Sequence, residues 1–479
     1  MESRGIFLNL SPLDHRYSLS NPDLFRALSA FLGEEASIRS CARVEVALLK
    51  ALLRQAPLAE LDPELSAALD RAAEEIDPEE VYAEEKKTQH NIRALVNVLK
   101  RGLPEPVKPL LHLGATSADI LDTASALRFR DTLRKVILPL LCELEGVLIR
   151  RCREEADTPQ IGRTHGQHAV PLTFGFALAE YVSRLGESVI RIRDRTADLR
   201  GKLAGAVGAY NATSLLVKDP LRLEREFLEG LDLSPSEHST QLVEPEYLLR
   251  LLLEINVAFG VVANLADDLR NLQRTEIGEV REEFSAAQVG SSTMPQKRNP
   301  WNSEHVKSLW KAFSPRVGTF FMDQISDHQR DLTNSASSRF VTEYLAGFAF
   351  AIDRMRAVLS SLVVDRARMA RNISLTGDLA FSESVYVLVG LGGDPEAHER
   401  VRAATLKAEQ SGEKLADVLK ADAALWELLA RQLAATRGTD PVTFFSDPKH
   451  YTGLAADRAR AIADTHARRL EALRRELAS

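Results

Sequence analysis

The chain has 479 residues, with 61 lysines and arginines against 68 aspartates and glutamates, a formal charge of −7. Hydrophobic residues make up 45% and charged residues 27%, the balance of a folded protein, which excludes a disordered or collagen-like chain. A single core stops growing at roughly 250–300 residues, so two or three domains are expected, and the mildly acidic charge argues against nucleic acid as a bulk electrostatic partner.

The opening segment, MESRGIFLNLSPLDHRY, lacks the basic-then-apolar layout of a signal peptide. No apolar run approaches the roughly 20 residues that span a bilayer. A soluble, cytoplasmic protein without membrane partners is expected. Cys41, Cys142 and Cys152 form no CxxC pair and read as buried thiols in a reducing compartment.

A polar, acidic stretch at 72–90 leads to the turn signal Gly102-Leu-Pro-Glu-Pro, which closes an N-terminal helical domain, 1–105. Helical periodicity then dominates. One stripe, about Thr123 to Arg153, carries Leu127, Val136, Ile137, Leu140, Leu144 and Leu148. A second starts at Phe174 with Leu178, Tyr181, Val182, Leu185, Val189 and Ile192, in a stretch close to 30 residues without proline. A third covers Tyr247 to about Arg274, and further helical patterns follow at about 304–325 and 340–365. These long helices predict a bundle domain, 106–365, in an all-α fold. Their apolar stripes are wide enough to face neighbours in other subunits, so an oligomer is expected. After about 365 the chain becomes Ala/Arg/Glu-rich, with the shorter helices of a C-terminal domain, 366–479. SVYVLVGLGGD (384–394) has proline where GxGxxG needs its last glycine. It reads as a helix ending at a glycine cap, with no nucleotide cofactor.

Four stretches break this pattern with small and polar residues: 112–119, 162–167, 205–211 and 290–300. Polar loops carried by rigid helices are where sites usually lie. In the last of them, glycine and serine supply free N–H groups for an anion, and Lys297 and Arg298 add positive charge. There is no HExxH, and cysteines and histidines are not at ligand spacing, so no metal is expected.

GSSTMPQKRNP (290–300) resembles the signature loop of the fumarase/aspartase superfamily of lyases. RTHGQ (163–167), HLGATSADILDT (112–123), GAVGAYNA (205–212), SPLDHRY (11–17), KTQHN (87–91) and QRDLTNSASSR (329–339) are similar to segments of the adenylosuccinate lyases within it. The sequence departs from that family's usual pattern at His15, at Gln89-His90-Asn91 and at Gln296. The last change is more typical of argininosuccinate lyases, so argininosuccinate stays open as an alternative substrate. A helical protein that kept the fold and lost catalysis is the alternative from another class.

The resemblance implies a three-domain all-α fold and a homotetramer whose sites are each built from three chains. It implies β-elimination of fumarate from a succinyl group on nitrogen, with no cofactor. Such chemistry needs a base for a weakly acidic C–H, donors and cations where carboxylate charge grows, and an acid for the departing nitrogen. By the same resemblance the base is Ser291, and the acid is expected to be His165, at the start of a long helix. A carboxylate should orient it, and Glu282 and Glu283, just upstream of the signature, are candidates. The substrate-binding positions are Arg16, Tyr17, Gln89, His90 and Asn91, then Thr116, Ser117 and Gln241. Ser292, Lys297, Arg298 and Asn299 follow in the signature loop, and Arg330, Ser335 and Arg339 complete the set. These residue types suit a ligand with a phosphate and two carboxylates.

Overall fold

The computed structural model describes residues 5–55, 60–284 and 293–478. The chain forms two compact units, Met1–Leu141 with Ser188–Gly260 and Ser308–Asp353, and Cys142–Glu187 with Val261–Lys307 and Arg354–Ser479. It passes between them inside long helices, among them Phe174–Ala197, Glu246–Leu272 and Val341–Ser360. Among the described residues helix dominates both units, and the strands pair only in two-stranded sheets, so the all-α expectation holds.

In the first unit the helix Glu34–Gln55 buries Val44, Leu48, Leu49 and Leu52. It packs against the helix Ser117–Thr132. Arg128 on the latter donates to the carbonyls of Phe31 and Leu32, 2.9 and 3.0 Å, where the helix Pro22–Leu32 runs out of internal partners. The stripe expected over 123–153 is a continuous rod, but not all α. A π turn, Leu133–Ile137, sits inside it, closed by the N–H of Leu138 on the carbonyl of Leu133. The pattern at 304–325 is two helices, Trp301–Phe313 and Arg316–Met322, because Pro315 lacks the N–H that would carry the first onward.

In the second unit the helix Leu138–Glu154 is followed by a hairpin, β1 (Pro159–Thr164) and β2 (Gln167–Thr173), and then by the helix Phe174–Ala197. The hairpin's base is pinched shut: Phe174 donates to Thr158 and Gly175 to Glu155, both at 2.8 Å. Glu155 is buried there and accepts from Arg366 at 2.6 and 3.1 Å. Ile161 of β1 packs with Ile373 and Ala380. A separate core gathers the short C-terminal helices around Phe381, Val385, Leu419, Leu429 and Phe444. The helix Ser382–Leu391 ends at Gly392, with Gly393 left-handed, matching the glycine-capped helix read from the sequence.

Glu246–Leu272 has the length and apolar composition of a membrane span, which corrects the expectation that no segment comes close. Arg250 and Glu254 break its apolar run, and 56% of its most apolar window is buried inside the protein. The three cysteines are free and buried, and burial pushes the Cys41 thiol up to about 12 and those of Cys142 and Cys152 to about 11.

A Cβ on Gly175 would meet the carbonyl of Cys152 and lie 2.6 Å from backbone atoms of Ala156. Gly175→Ala is therefore expected to destabilise the protein by about 1–3 kcal/mol, read as a lowered denaturation midpoint.

Candidate functional site

In the first unit the site is built around the N-terminus of the helix Ser117–Thr132. Asp119, in its first turn, is fully buried and reaches back to accept from the N–H of Thr116 at 2.8 Å. This is one half of a capping box. The other oxygen of Asp119 accepts from the buried Lys202 ammonium and from the N–H groups of Ala204 and Gly205, 3.2 and 3.3 Å. One carboxylate thus fastens the 112–119 loop to the 205–211 loop. The far side of the second loop is held by Glu224, which accepts from the N–H of Leu203 and the hydroxyl of Tyr210, both at 2.7 Å. Gly208, at φ 79°, brings the loop onto the carbonyl of Ser239, where a Cβ would collide.

One turn further along the helix, Asp122 accepts from the N–H of Val243 at 3.0 Å. Burial pushes its carboxyl up to about 6, against the pull of that bond and of the Lys202 and Arg330 charges. The bond ties the helix to the segment that carries Gln241. The Gln241 N–H donates to the carbonyl of Gln329 at 3.1 Å, and its side-chain oxygen accepts from Arg330 at 3.2 Å. The structure therefore gathers Thr116, Ser117, Gln241 and Arg330 in one neighbourhood. The Nε of Arg330 is buried without a hydrogen-bond partner among the described residues. A buried guanidinium donor left open costs free energy until an acceptor arrives, and its fork geometry suits an oxyanion.

Of the remaining positions of this unit, Gln89, His90 and Asn91 lie at an exposed turn between two helices. Gln89, left-handed at φ 53°, ends the helix Pro78–Thr88, and His90 caps the helix Asn91–Arg101 by accepting from the N–H of Arg93 at 3.3 Å. Gln89 donates to the carbonyl of Lys86 and Asn91 accepts from the N–H of Ile92, so this triplet spends these bonds inside its own turn. Arg16 and Tyr17 open the short helix Arg16–Ser20, with the Tyr17 ring 5.1 Å from that of Phe350. Ser335 and Arg339 are exposed. His112 meets the buried Glu45 at 2.7 Å.

In the second unit His165 does not start a long helix. It occupies the tip of the β1–β2 hairpin, exposed, nine residues before that helix begins. His165 and Gly166 both have positive φ, 54° and 75°, the requirement of a two-residue type I′ turn. Such turns favour Asn-Gly, so the His-Gly pair conceals the hairpin in the sequence. Lys297, Arg298 and Asn299 are described, and the Arg298 guanidinium lies over the Phe284 ring at 5.5 Å. Ser291 and Ser292 lie outside the described residues. Glu282, a candidate to orient His165, has both oxygens on the start of the helix Trp301–Phe313. It accepts from Asn302 at 2.8 Å and from the N–H and hydroxyl of Ser303 at 2.8 and 2.7 Å.

Sequence reasoning missed Asp119, Asp122, Lys202 and Glu224. Only Asp119 carried a readable signal, the spacing Thr116-x-x-Asp119 of a capping box.

The Lyase family profile matches residues 15–311, and one described as adenylosuccinate lyase C-terminal matches 326–439. The adenylosuccinate lyase of Archaeoglobus fulgidus is 32% identical over 458 residues, covering 94% of this chain and 97% of the relative. That of Pyrococcus abyssi is 34% identical over 418 residues, covering 85% and 89%. The crystal structure of 3-carboxy-cis,cis-muconate lactonizing enzyme from Pseudomonas putida superposes with a TM-score of 0.77 at 25% identity, over 92% of this chain and 97% of that one. The chain belongs to the Lyase family. Within it, the near-full-length similarity makes it a member of the adenylosuccinate lyases.

Lys202→Met leaves the Asp119 carboxylate buried without its counter-charge. We expect a loss of about 3–5 kcal/mol in chemical denaturation, part of which Asp119→Asn in the same chain restores. Asp122, raised to about 6 in the folded chain, holds its proton more tightly there than when unfolded. Its ionisation therefore erodes stability as pH rises from about 4 through about 6. Asp122→Asn keeps an acceptor for Val243 and abolishes that erosion. Its thermal midpoint relative to wild type should climb between pH 4 and 7; a flat difference would contradict the shift.

Proposed function

We propose that this chain cleaves adenylosuccinate by β-elimination, releasing fumarate and AMP, and acts likewise on the succinylated aminoimidazole carboxamide ribotide of purine biosynthesis. The observation that carries this reading is the 32% identity to an adenylosuccinate lyase along 94% of the chain. Arg330 supports it: its open, buried donor beside Gln241 calls for an anionic ligand.

In this reading Ser291 takes a proton from the carbon next to a carboxylate of the succinyl group. The electron pair left behind forms the new C=C bond of fumarate as the C–N bond breaks, and His165 gives the departing nitrogen its proton. An exposed imidazole at a hairpin tip is open to a bound substrate, and histidine is the side chain most often used for such a transfer. A serine is a weak base, so it needs donors and positive charge around it, and Lys297 is the nearest cation in sequence. Thr116, Ser117, Gln241 and Arg330 hold the anionic and polar parts of the substrate. Arg16, Tyr17, Gln89, His90, Asn91, Ser292, Arg298, Asn299, Ser335 and Arg339 complete that set. We further propose a cytoplasmic homotetramer in which several chains contribute to each site.

The test is ultraviolet monitoring of the purified protein with adenylosuccinate beside argininosuccinate. Turnover of the first alone is expected, and turnover of the second alone would reverse the assignment. Ser291→Ala should still bind substrate while kcat falls by several orders of magnitude. Near-normal turnover would remove Ser291 from the base role.

A further inference from the structure

The hairpin that carries His165 is a marginal element by itself. Two strands joined by a two-residue turn hold together in water only when packed or tied to something else. Here Ile161 packs on Ile373 and Ala380, and the polar tie of β1 is a buried carboxylate. Glu279 has no solvent exposure and receives four donors. Arg163 reaches it with both terminal nitrogens, at 2.5 and 3.1 Å, Gln160 donates at 2.8 Å, and Asn372 donates at 2.8 Å. Three of these four donors, those of Gln160 and Arg163, lie on β1.

The anchor is rigid at its own end. The Glu279 N–H donates to the carbonyl of Leu272 at 3.0 Å, and its carbonyl accepts from the N–H of Asp365 at 2.9 Å. Arg163 stands two residues before His165. Across the hairpin it pairs with His168, whose ring nitrogen meets the Thr376 hydroxyl at 2.5 Å. The strand register shifts between Ile161 and Arg163, so the ladder at the base does not run straight into the two pairs, Arg163 with His168 and Thr164 with Gln167, that flank the tip. A bidentate guanidinium–carboxylate pair fixes direction as well as distance.

We propose that Glu279 and Arg163 are positioning residues for proton transfer at His165, the buried carboxylate setting the orientation of the strand that presents the imidazole. Proton transfer tolerates little misplacement, and the anchor has no evident part in holding substrate. Its loss should therefore appear in kcat and not in KM. This inference rests on His165 being the acid, and the experiment separates the two.

Glu279→Gln keeps the size and an acceptor but removes the charge that holds the guanidinium. Arg163→Lys keeps the charge pair but cannot engage both oxygens in the same fork. With adenylosuccinate as substrate, well below each variant's thermal midpoint, kcat should fall at least tenfold in both, with KM within threefold of wild type. Should Glu279→Gln fail to fold, Arg163→Lys decides. A folded variant with kcat within twofold of wild type, or one whose loss lies in KM alone, overturns the inference. His165→Asn, which the left-handed backbone tolerates, is assayed alongside. Near-normal turnover there overturns the acid assignment itself, whereas an inactive His165→Asn beside a fully active Glu279→Gln overturns only the anchor.

Discussion

A carboxylate removed from water must be met by donors or give up its charge. This chain meets that constraint by binding its loops to buried acids. Asp119 collects an ammonium and three N–H groups from two loops. Glu224 closes the far side of one of them. Glu279 gathers one strand of a hairpin, and Glu282 takes the start of a helix. In each case the acid is buried in the body of a unit, and most of its partners come from loops, a strand or the first turn of a helix, where backbone or side-chain donors lack ladder partners. The 112–119 and 205–211 loops are tied to the body of their unit because leaving these charges unmet is costly.

The same arrangement sets how much of the molecule was legible in its sequence. Long apolar stripes at helical spacing need only local physics, so the helices from Phe174 and Tyr247 were readable to within a few residues. The glycine stop after Leu391 was readable for the same reason. The π turn was not, since one extra residue in a helix leaves the coarse pattern of Leu, Val and Ala unchanged. The hairpin was hidden twice over, by an unusual His-Gly turn and by strands whose residues answer to Glu279 and to Ile373.

The candidate site divides along similar lines. Residues that match a family motif, such as His165, Gln241 and Arg330, could be found by type and order. Those that hold them in place could not, because Lys202 and Glu279 gain their meaning from partners 83 and 116 positions away. A buried charge pair carries no periodicity, and its halves look like ordinary surface residues until the fold joins them.

The backbone at residue 165 turns with the opposite hand to most of the chain. Glycine or asparagine would sit there with less strain. If the His165 ring is the acid proposed above, exchange for glycine or asparagine relaxes the corner at the expense of turnover, and backbone ease and side-chain chemistry are opposed at that position.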